Sequence, residues 1–192
     1  MGVTLTKGGN VSLSKAAPHL TAVRIGLGWQ ARSTTGESFD LDASALLCAG
    51  GRVLGDEYFV FYNRLKSPEG SVEHHGDDVS GGNGAEDDEI ITVQLALVPT
   101  QVDKIVFPVS IYDADSRRQS FGQVRGAFIR VVNEADGTEL ARFDLSEEAS
   151  DETAVIFGEL YRYDGEWKFR AVGQGYATGL RGIALDFGVN VS

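Results

Sequence analysis

The sequence predicts an all-β fold, a β-sandwich of about ten strands with short helices. Three observations support this prediction. Apolar and polar residues alternate in several segments, turn-forming residues recur about every 8–12 residues, and 24 glycines accompany only 4 prolines. Alternation with a period of two places every second side chain on the same face of a strand, as in a half-buried sheet. A β-barrel is the alternative architecture.

Composition limits the domain number and the classes of partner. With 192 residues and 42% hydrophobic content, the chain can bury one sizeable core, so we expect a single domain over residues 1–192. A net charge of −11 disfavours a nucleic-acid surface and direct contact with anionic lipid. The sequence has neither an apolar stretch of about 18 residues nor a signal-peptide core. We therefore expect a cytoplasmic protein without membrane insertion.

Strands and helices can be placed along the chain from these patterns. Strands are predicted at two places between residues 3 and 13, and at residues 23–29, 39–44, 58–62, 91–97, 105–111, 127–132, 139–143, 154–163 and 167–172. Residues 7–10 give the first two strands the chemistry of a hairpin, and residues 163–166 predict a second hairpin. Short helices are expected at residues 116–123 and 176–187.

A glycine-rich motif at residues 26–31, Gly-Leu-Gly-Trp-Gln-Ala, fits one form of the dinucleotide-binding fingerprint. That fingerprint requires its glycines in a turn between a strand and a helix. Here both glycines lie within the alternating strand pattern, and residues 32–36 do not favour a helix. We therefore reject a dinucleotide site.

The central feature of the chain is an acidic loop within residues 74–91. Between Asp77 and Glu89 it holds six carboxylates and no lysine or arginine, interleaved with glycines. Glycine permits sharp turns, and carboxylate, amide and carbonyl oxygens are the ligands that hard divalent cations prefer. Calcium fits best because it accepts about 6–8 oxygens in flexible geometry. The loop thus predicts a metal site, with an ordinary solvated acidic loop as the alternative.

The loop does not match an EF-hand. Counting from Asp78 puts Glu89 at the twelfth position, but Ser80 and Gly82 occupy the third and fifth, and the flanks favour strands. We therefore expect a site carried by loops on a β scaffold.

Two further groups of polar residues bear on this site. Asp40 and Asp42 share one face of a predicted strand, about 7 Å apart. They suit either a solvated edge or a metal site. The acidic loop is a second acidic cluster that needs ligands or counter-ions, and this favours the metal site. His74 and His75 are adjacent on a strand and point to opposite faces, so we interpret both as surface residues rather than zinc ligands.

Cys48, the one cysteine, lies in an apolar run, which predicts a buried, inert thiol.

Several motifs together resemble the tellurium-resistance TerD family over nearly the whole chain. They lie at residues 5–10, 26–29, 39–44, 118–124, 157–162 and 168–176, and in the acidic loop. The resemblance implies a β-sandwich that binds two calcium ions in loops at one end. It also implies a cytoplasmic bacterial stress protein linked to tellurite, phage and colicin resistance. Its implied partners are other Ter-family proteins in a membrane-associated complex.

The loop departs from the family pattern in two ways. The family loop has an Asp-Asn pair where Asp77 and Asp78 stand here, so Asp78 replaces an amide. Residues 82–86 are one residue longer than their counterpart, which leaves Asn83 and Glu86 open as ligands.

The sequence therefore yields a defined set of expected calcium ligands and two classes of function. The expected ligands are Asp40, Asp42, Asp77, Asp78, Asp87, Asp88 and Glu89, with backbone oxygens near Gly81 and Gly84.

We expect a non-enzymatic scaffold or sensor that presents a calcium-ordered surface to partner proteins. A structural module with permanently bound calcium is a variant of this hypothesis. The alternative class is a metal-dependent hydrolase, which the scarcity of histidines and the lack of a nucleophile constellation disfavour.

Overall fold

Two β-sheets form the framework of the protein in the computed structural model, which describes residues 2–30, 36–76, 87–145 and 151–191. In chain order the strands are β1 (Val3–Leu5), β2 (Asn10–Ser12), β3 (Ala22–Gly28), β4 (Leu41–Ala43), β5 (Ala45–Ala49), β6 (Arg52–Val53), β7 (Phe59–Val60), β8 (Val72–His74), β9 (Glu89–Gln94), β10 (Lys104–Ile111), β11 (Phe128–Asn133), β12 (Glu139–Asp144), β13 (Ala154–Tyr163) and β14 (Glu166–Tyr176). The helices are α1 (Leu13–Ala16), α2 (Ala114–Arg117) and α3 (Gly179–Asp186), with 3₁₀ turns at Asp56–Tyr58, Leu95–Leu97 and Phe121–Gln123.

The two sheets pack face to face. The six-stranded sheet has the order β1-β12-β11-β3-β9-β8, and the eight-stranded sheet the order β2-β14-β13-β10-β5-β6, with β4 on β10 and β7 on β5. Phe143 of one sheet meets Phe157 of the other edge to face, with ring centroids 5.8 Å apart. The main core lies between the sheets. The predicted β-sandwich is thus confirmed, with additional strands of two or three residues that are too short to show alternation.

The predicted hairpin between β1 and β2 is wrong. β1 pairs in parallel with β12 of the six-stranded sheet, whereas β2 pairs with β14 of the eight-stranded sheet. The turn-forming residues 7–10 carry the chain from one sheet to the other, and the Gly8 amide donates to the Ala171 carbonyl. A local turn signal does not determine which strand each arm will pair with.

Other predicted elements are close to those observed. The hairpin between β13 and β14 is confirmed, with positive φ angles at Asp164 (53°) and Gly165 (77°) that suit its tight turn. α3 lies within the helix predicted at 176–187. The strand predicted at 91–97 ends at Gln94, where the 3₁₀ turn Leu95–Leu97 begins.

α3 covers part of the outer face of the eight-stranded sheet. Ile183 and Ala184 pack there with Cys48, which is fully buried. Burial raises the pKa of the Cys48 thiol to about 12, so the predicted buried thiol is confirmed. Of the helices in the described ranges, none has the length and apolar character needed to cross a membrane.

Candidate metal centre

Three of the predicted ligands form one buried group. Asp40, Asp42 and Glu89 each contribute a carboxylate oxygen, and these oxygens lie within 4.8 Å of one another. The residues are exposed by only 8%, 6% and 1%. Asp40 and Asp42 lie at β4 of the eight-stranded sheet, and Glu89 begins β9 of the six-stranded sheet. We call this group the carboxylate cluster, and it joins the two layers of the sandwich.

The local sequence explains how three acids come to lie inside. On β9 the buried positions are Glu89, Ile91 and Val93, so Glu89 heads the inward row of its strand. β4 is held by β10, where Asp42 is opposite Ser110. Glu89 precedes Ile91 and Val93 on the inward side of β9, and β10 holds β4 beside it. The acidic side chains therefore point into the end of the sandwich.

A hydrogen bond between the layers fixes Glu89. Its Oε1 accepts from the backbone amide of Ala43 at 2.8 Å. Ala43 directly follows Asp42 in β4, so this bond sets the separation of the acids contributed by the two sheets.

The predicted surface position of His74 is wrong. It is only 2% exposed, and its Nε2 lies 3.3 Å from Glu89 Oε1. The Gly76 amide donates to His74 Nδ1, which places the proton of a neutral ring on Nε2, facing Glu89. Of these two neighbouring histidines, His75 is the exposed one, with its Nε2 3.0 Å from Thr92 Oγ1. Alternation correctly put the two rings on opposite faces, but one of those faces is the core.

The electrostatics of the carboxylate cluster favour a cation. Two like charges within 4.8 Å of each other repel by at least about 3 kcal/mol at an effective dielectric constant of about 20. The His74 ring, whose Nδ1 accepts from the Gly76 amide, is neutral and does not cancel this charge. The donor set consists of carboxylate oxygens, which suit calcium or magnesium better than soft metals. The residues present therefore fit a hard divalent ion.

Asp88, another predicted ligand, is held against β3. Its Oδ2 accepts from the Trp29 amide at 3.0 Å, and its own amide donates to the Leu27 carbonyl at 2.7 Å. It lies outside the carboxylate cluster. These two bonds align the residue that precedes Glu89.

Asp87 lies on the opposite face of the six-stranded sheet. Its carboxylate accepts from Arg130 Nε at 2.8 Å and from Nη2 at 3.0 Å, and its side chain is only 4% exposed. Gly26 makes room for it, since a Cβ at that position would lie 2.2 Å from Asp87 Cγ. Hydrogen bonding to Asp87 raises the pKa of the Arg130 guanidinium. Gly26 lies within β3, as the rejection of the dinucleotide motif requires.

The remaining predicted ligands are Asp77, Asp78, Gly81 and Gly84, which lie outside the described residues. Asp113 and Asp115 lie at the start of α2 and do not join the carboxylate cluster.

These features define a two-layer β protein with a buried oxygen-donor group between its sheets. Comparison with known proteins gives a family match to the TerD domain over residues 1–187. The chain is 61% identical to the tellurium resistance protein TerD of Serratia marcescens, over the full length of both proteins. It is 49% identical to general stress protein 16U of Bacillus subtilis (strain 168), again over both full lengths. The chain belongs to the TerD family, a family of tellurium-resistance and stress-response proteins.

A solved structure shares the same fold. The crystal structure of SAV2460, a protein of unknown function, superposes with a TM-score of 0.71 at 26% identity. The match covers 89% of this chain and 98% of that one.

Proposed function

We propose that this chain is a calcium-binding stress-response protein that acts as a scaffold or sensor and presents a calcium-ordered surface to partner proteins. The observation that carries the proposal is the carboxylate cluster of Asp40, Asp42 and Glu89, three buried acids with oxygens within 4.8 Å of one another. Calcium, when bound, supplies the positive charge that offsets their repulsion.

We prefer calcium to magnesium because of the number of ligands and because they come from different parts of the fold. The carboxylate cluster supplies three side chains from two sheets, and the bond from Ala43 restrains one of them. Calcium completes about 6–8 oxygens in variable geometry, whereas magnesium requires a strict octahedron. Asp77, Asp78 and backbone oxygens near Gly81 and Gly84 are the proposed further ligands, and they account for the second ion that we propose.

A binding role is favoured over hydrolysis by the burial of the acids. Hydrolysis needs a group that contacts both substrate and water, but none of the three acids is more than 8% exposed. The one observation that favours a metal-dependent hydrolase is His74 Nε2, 3.3 Å from Glu89 Oε1. Its proton faces the carboxylate, so this pair is better suited to holding Glu89 in place. As the setting, we propose the cytoplasm, with other Ter-family proteins as partners in a membrane-associated complex.

Calorimetric titration of the metal-stripped protein with calcium tests the proposal. We expect saturable binding that the double variant Asp40→Asn/Asp42→Asn weakens by at least about tenfold, since it removes two of the charges that bind the ion. Asp115→Asn, an exposed acid on α2, is the matched control and should leave the affinity unchanged. Absence of binding at millimolar calcium would refute the proposal. Equal magnesium affinity would refute the choice of ion.

A further inference from the structure

A groove of about 490 Å³ lies between the Asp56–Phe61 segment, α3 and residues 189–191. It shares no residue with the carboxylate cluster. The volume falls within the range of about 300–1,000 Å³ that is typical of small-molecule sites. Backbone bonds hold its walls together: Val53 donates to Phe187, and Val189 donates to Ala184.

The floor of the groove is apolar and partly aromatic. Phe59, Ala184 and Val189 are buried in it, and Phe61 and Leu180 are half-buried. The rings of Phe59 and Phe61 stack with centroids 4.6 Å apart and planes 10° apart. Such a surface favours a flat, apolar group and does not bind a small hydrated anion.

The rim of the groove carries two exposed arginines. Arg64 Nη1 donates to the Asp56 carbonyl, and Arg181 Nη1 donates to the Val191 carbonyl at 2.9 Å. Each bond uses one of the five N–H donors of a guanidinium, so each arginine is oriented and keeps donors for a ligand. Within the described part of the chain, neither arginine forms an ion pair with a carboxylate.

One acid limits the charge that the groove accepts. Asp56 also lines it, and its Oδ1 accepts from the Asn190 amide at 2.9 Å. Two arginines and one aspartate give the rim a formal charge of +1, whereas the whole chain carries −11. The rim is therefore complementary to a monoanion and less so to a dianion.

We propose that this groove is a binding site for an aromatic monocarboxylate. The ring lies against Phe59, Phe61 and Leu180, and the carboxylate accepts hydrogen bonds from Arg64 and Arg181. Arginine suits this role because its planar donors match the two oxygens of a carboxylate. The site is independent of the proposed calcium function, because it uses none of the acids of the carboxylate cluster.

Titration of the full chain with 2-naphthoate, followed by calorimetry and amide NMR, tests the assignment. We expect one saturable site, with shifts concentrated at residues 56–64 and 180–191. The uncharged 2-naphthalenemethanol should bind at least about tenfold more weakly, which corresponds to about 1.4 kcal/mol. Decanoate, an aliphatic monoanion, should also bind more weakly, because it cannot stack on the phenylalanine rings.

Matched variants separate the groove from non-specific binding. Arg64→Gln/Arg181→Gln should weaken 2-naphthoate binding by at least about tenfold. Arg125→Gln should leave it unchanged, since Arg125 is likewise exposed and bonded to a backbone carbonyl, that of Gly122, but lies outside the groove. Thermal melts establish that the variants are folded. Equal loss in both variants, equal binding of the alcohol or decanoate, or no binding at millimolar ligand would overturn the proposal.

Discussion

Arg130 donates two hydrogen bonds to the carboxylate of Asp87, across the outer face of the six-stranded sheet. The two residues are 43 positions apart in the chain, and Gly26 beneath them leaves the space that the carboxylate fills. Two residues beyond Asp87, Glu89 turns into the sandwich and joins the carboxylate cluster. The ion pair outside the sheet thus anchors the backbone that presents a buried acid inside it.

Arg130→Gln should weaken calcium binding by about three- to tenfold, because Glu89 loses the anchor two residues before it. Simple electrostatics predicts the opposite sign, since removing a positive charge favours a bound cation. Arg142→Gln on the neighbouring strand is the control, because Arg142 forms a similar pair with Asp144 on this sheet. Calorimetry on both variants decides the matter. An affinity that is unchanged or higher in Arg130→Gln would show that the pair does not position the site.

Gly26→Ala should destabilise the fold by about 1–3 kcal/mol, the usual cost of overpacking. Its Cβ would lie 2.2 Å from Asp87 Cγ, so the ion pair with Arg130 has to shift. Chemical denaturation of Gly26→Ala, Asp87→Ala and the double variant measures the coupling between the two positions. The double variant should be less destabilised than the sum of the single variants. Strict additivity would mean that the added methyl group acts elsewhere.

Glu89→Gln should stabilise the metal-free protein and reduce the stabilisation that calcium provides. The amide oxygen can still accept from Ala43, but one of three neighbouring charges is lost. We therefore expect a higher melting temperature in the metal-free protein, from relief of repulsion of about 3 kcal/mol per pair at an effective dielectric constant of about 20. The rise in melting temperature that calcium causes should be smaller in Glu89→Gln than in the unmodified protein.

Glu134→Gln, an exposed acid beyond the end of β11, serves as the control and should change neither melt. A lower melting temperature for metal-free Glu89→Gln would indicate that Glu89 is held mainly by its hydrogen bonds. The repulsion that motivates a calcium site would then be too small to matter.

Period-two patterning accounts for much of the fold and for part of the candidate site. It predicts that Asp40 and Asp42 share one face, whereas Glu89 lies two residues before the strand predicted at 91–97 and heads the row of Ile91 and Val93 in the structure. The pattern does not tell which face of β8 is the core, so it predicts a surface position for His74, which is buried. That choice depends on the pairing of β8 with β9, which is set by contacts distant in sequence.

Other contacts between segments distant in the chain are likewise not determined by local sequence patterns. The bond from Ala43 to Glu89 joins residues 46 apart and decides that acids from two sheets meet. The exchange of sheets between β1 and β2 is of the same kind, since turn chemistry at residues 7–10 is satisfied by either arrangement. Local pattern therefore predicts elements and faces, whereas pairing partners follow from packing of the whole chain.

The stability of the protein should fall as pH rises above about 9, and Cys48 is the first cause. Burial raises the pKa of its thiol from 9.0 to about 12. Above pH 9 the unfolded chain releases this proton and the folded chain keeps it, so unfolding becomes easier, by at most about 1.4 kcal/mol per pH unit. Cys48→Ala should remove this slope between pH 9 and 10, as measured by denaturant unfolding. Burial also raises the pKa of Tyr176, from 10.0 to about 12, so any slope from Tyr176 begins higher and persists in the variant. An unchanged slope in Cys48→Ala between pH 9 and 10 would mean that another group titrates there.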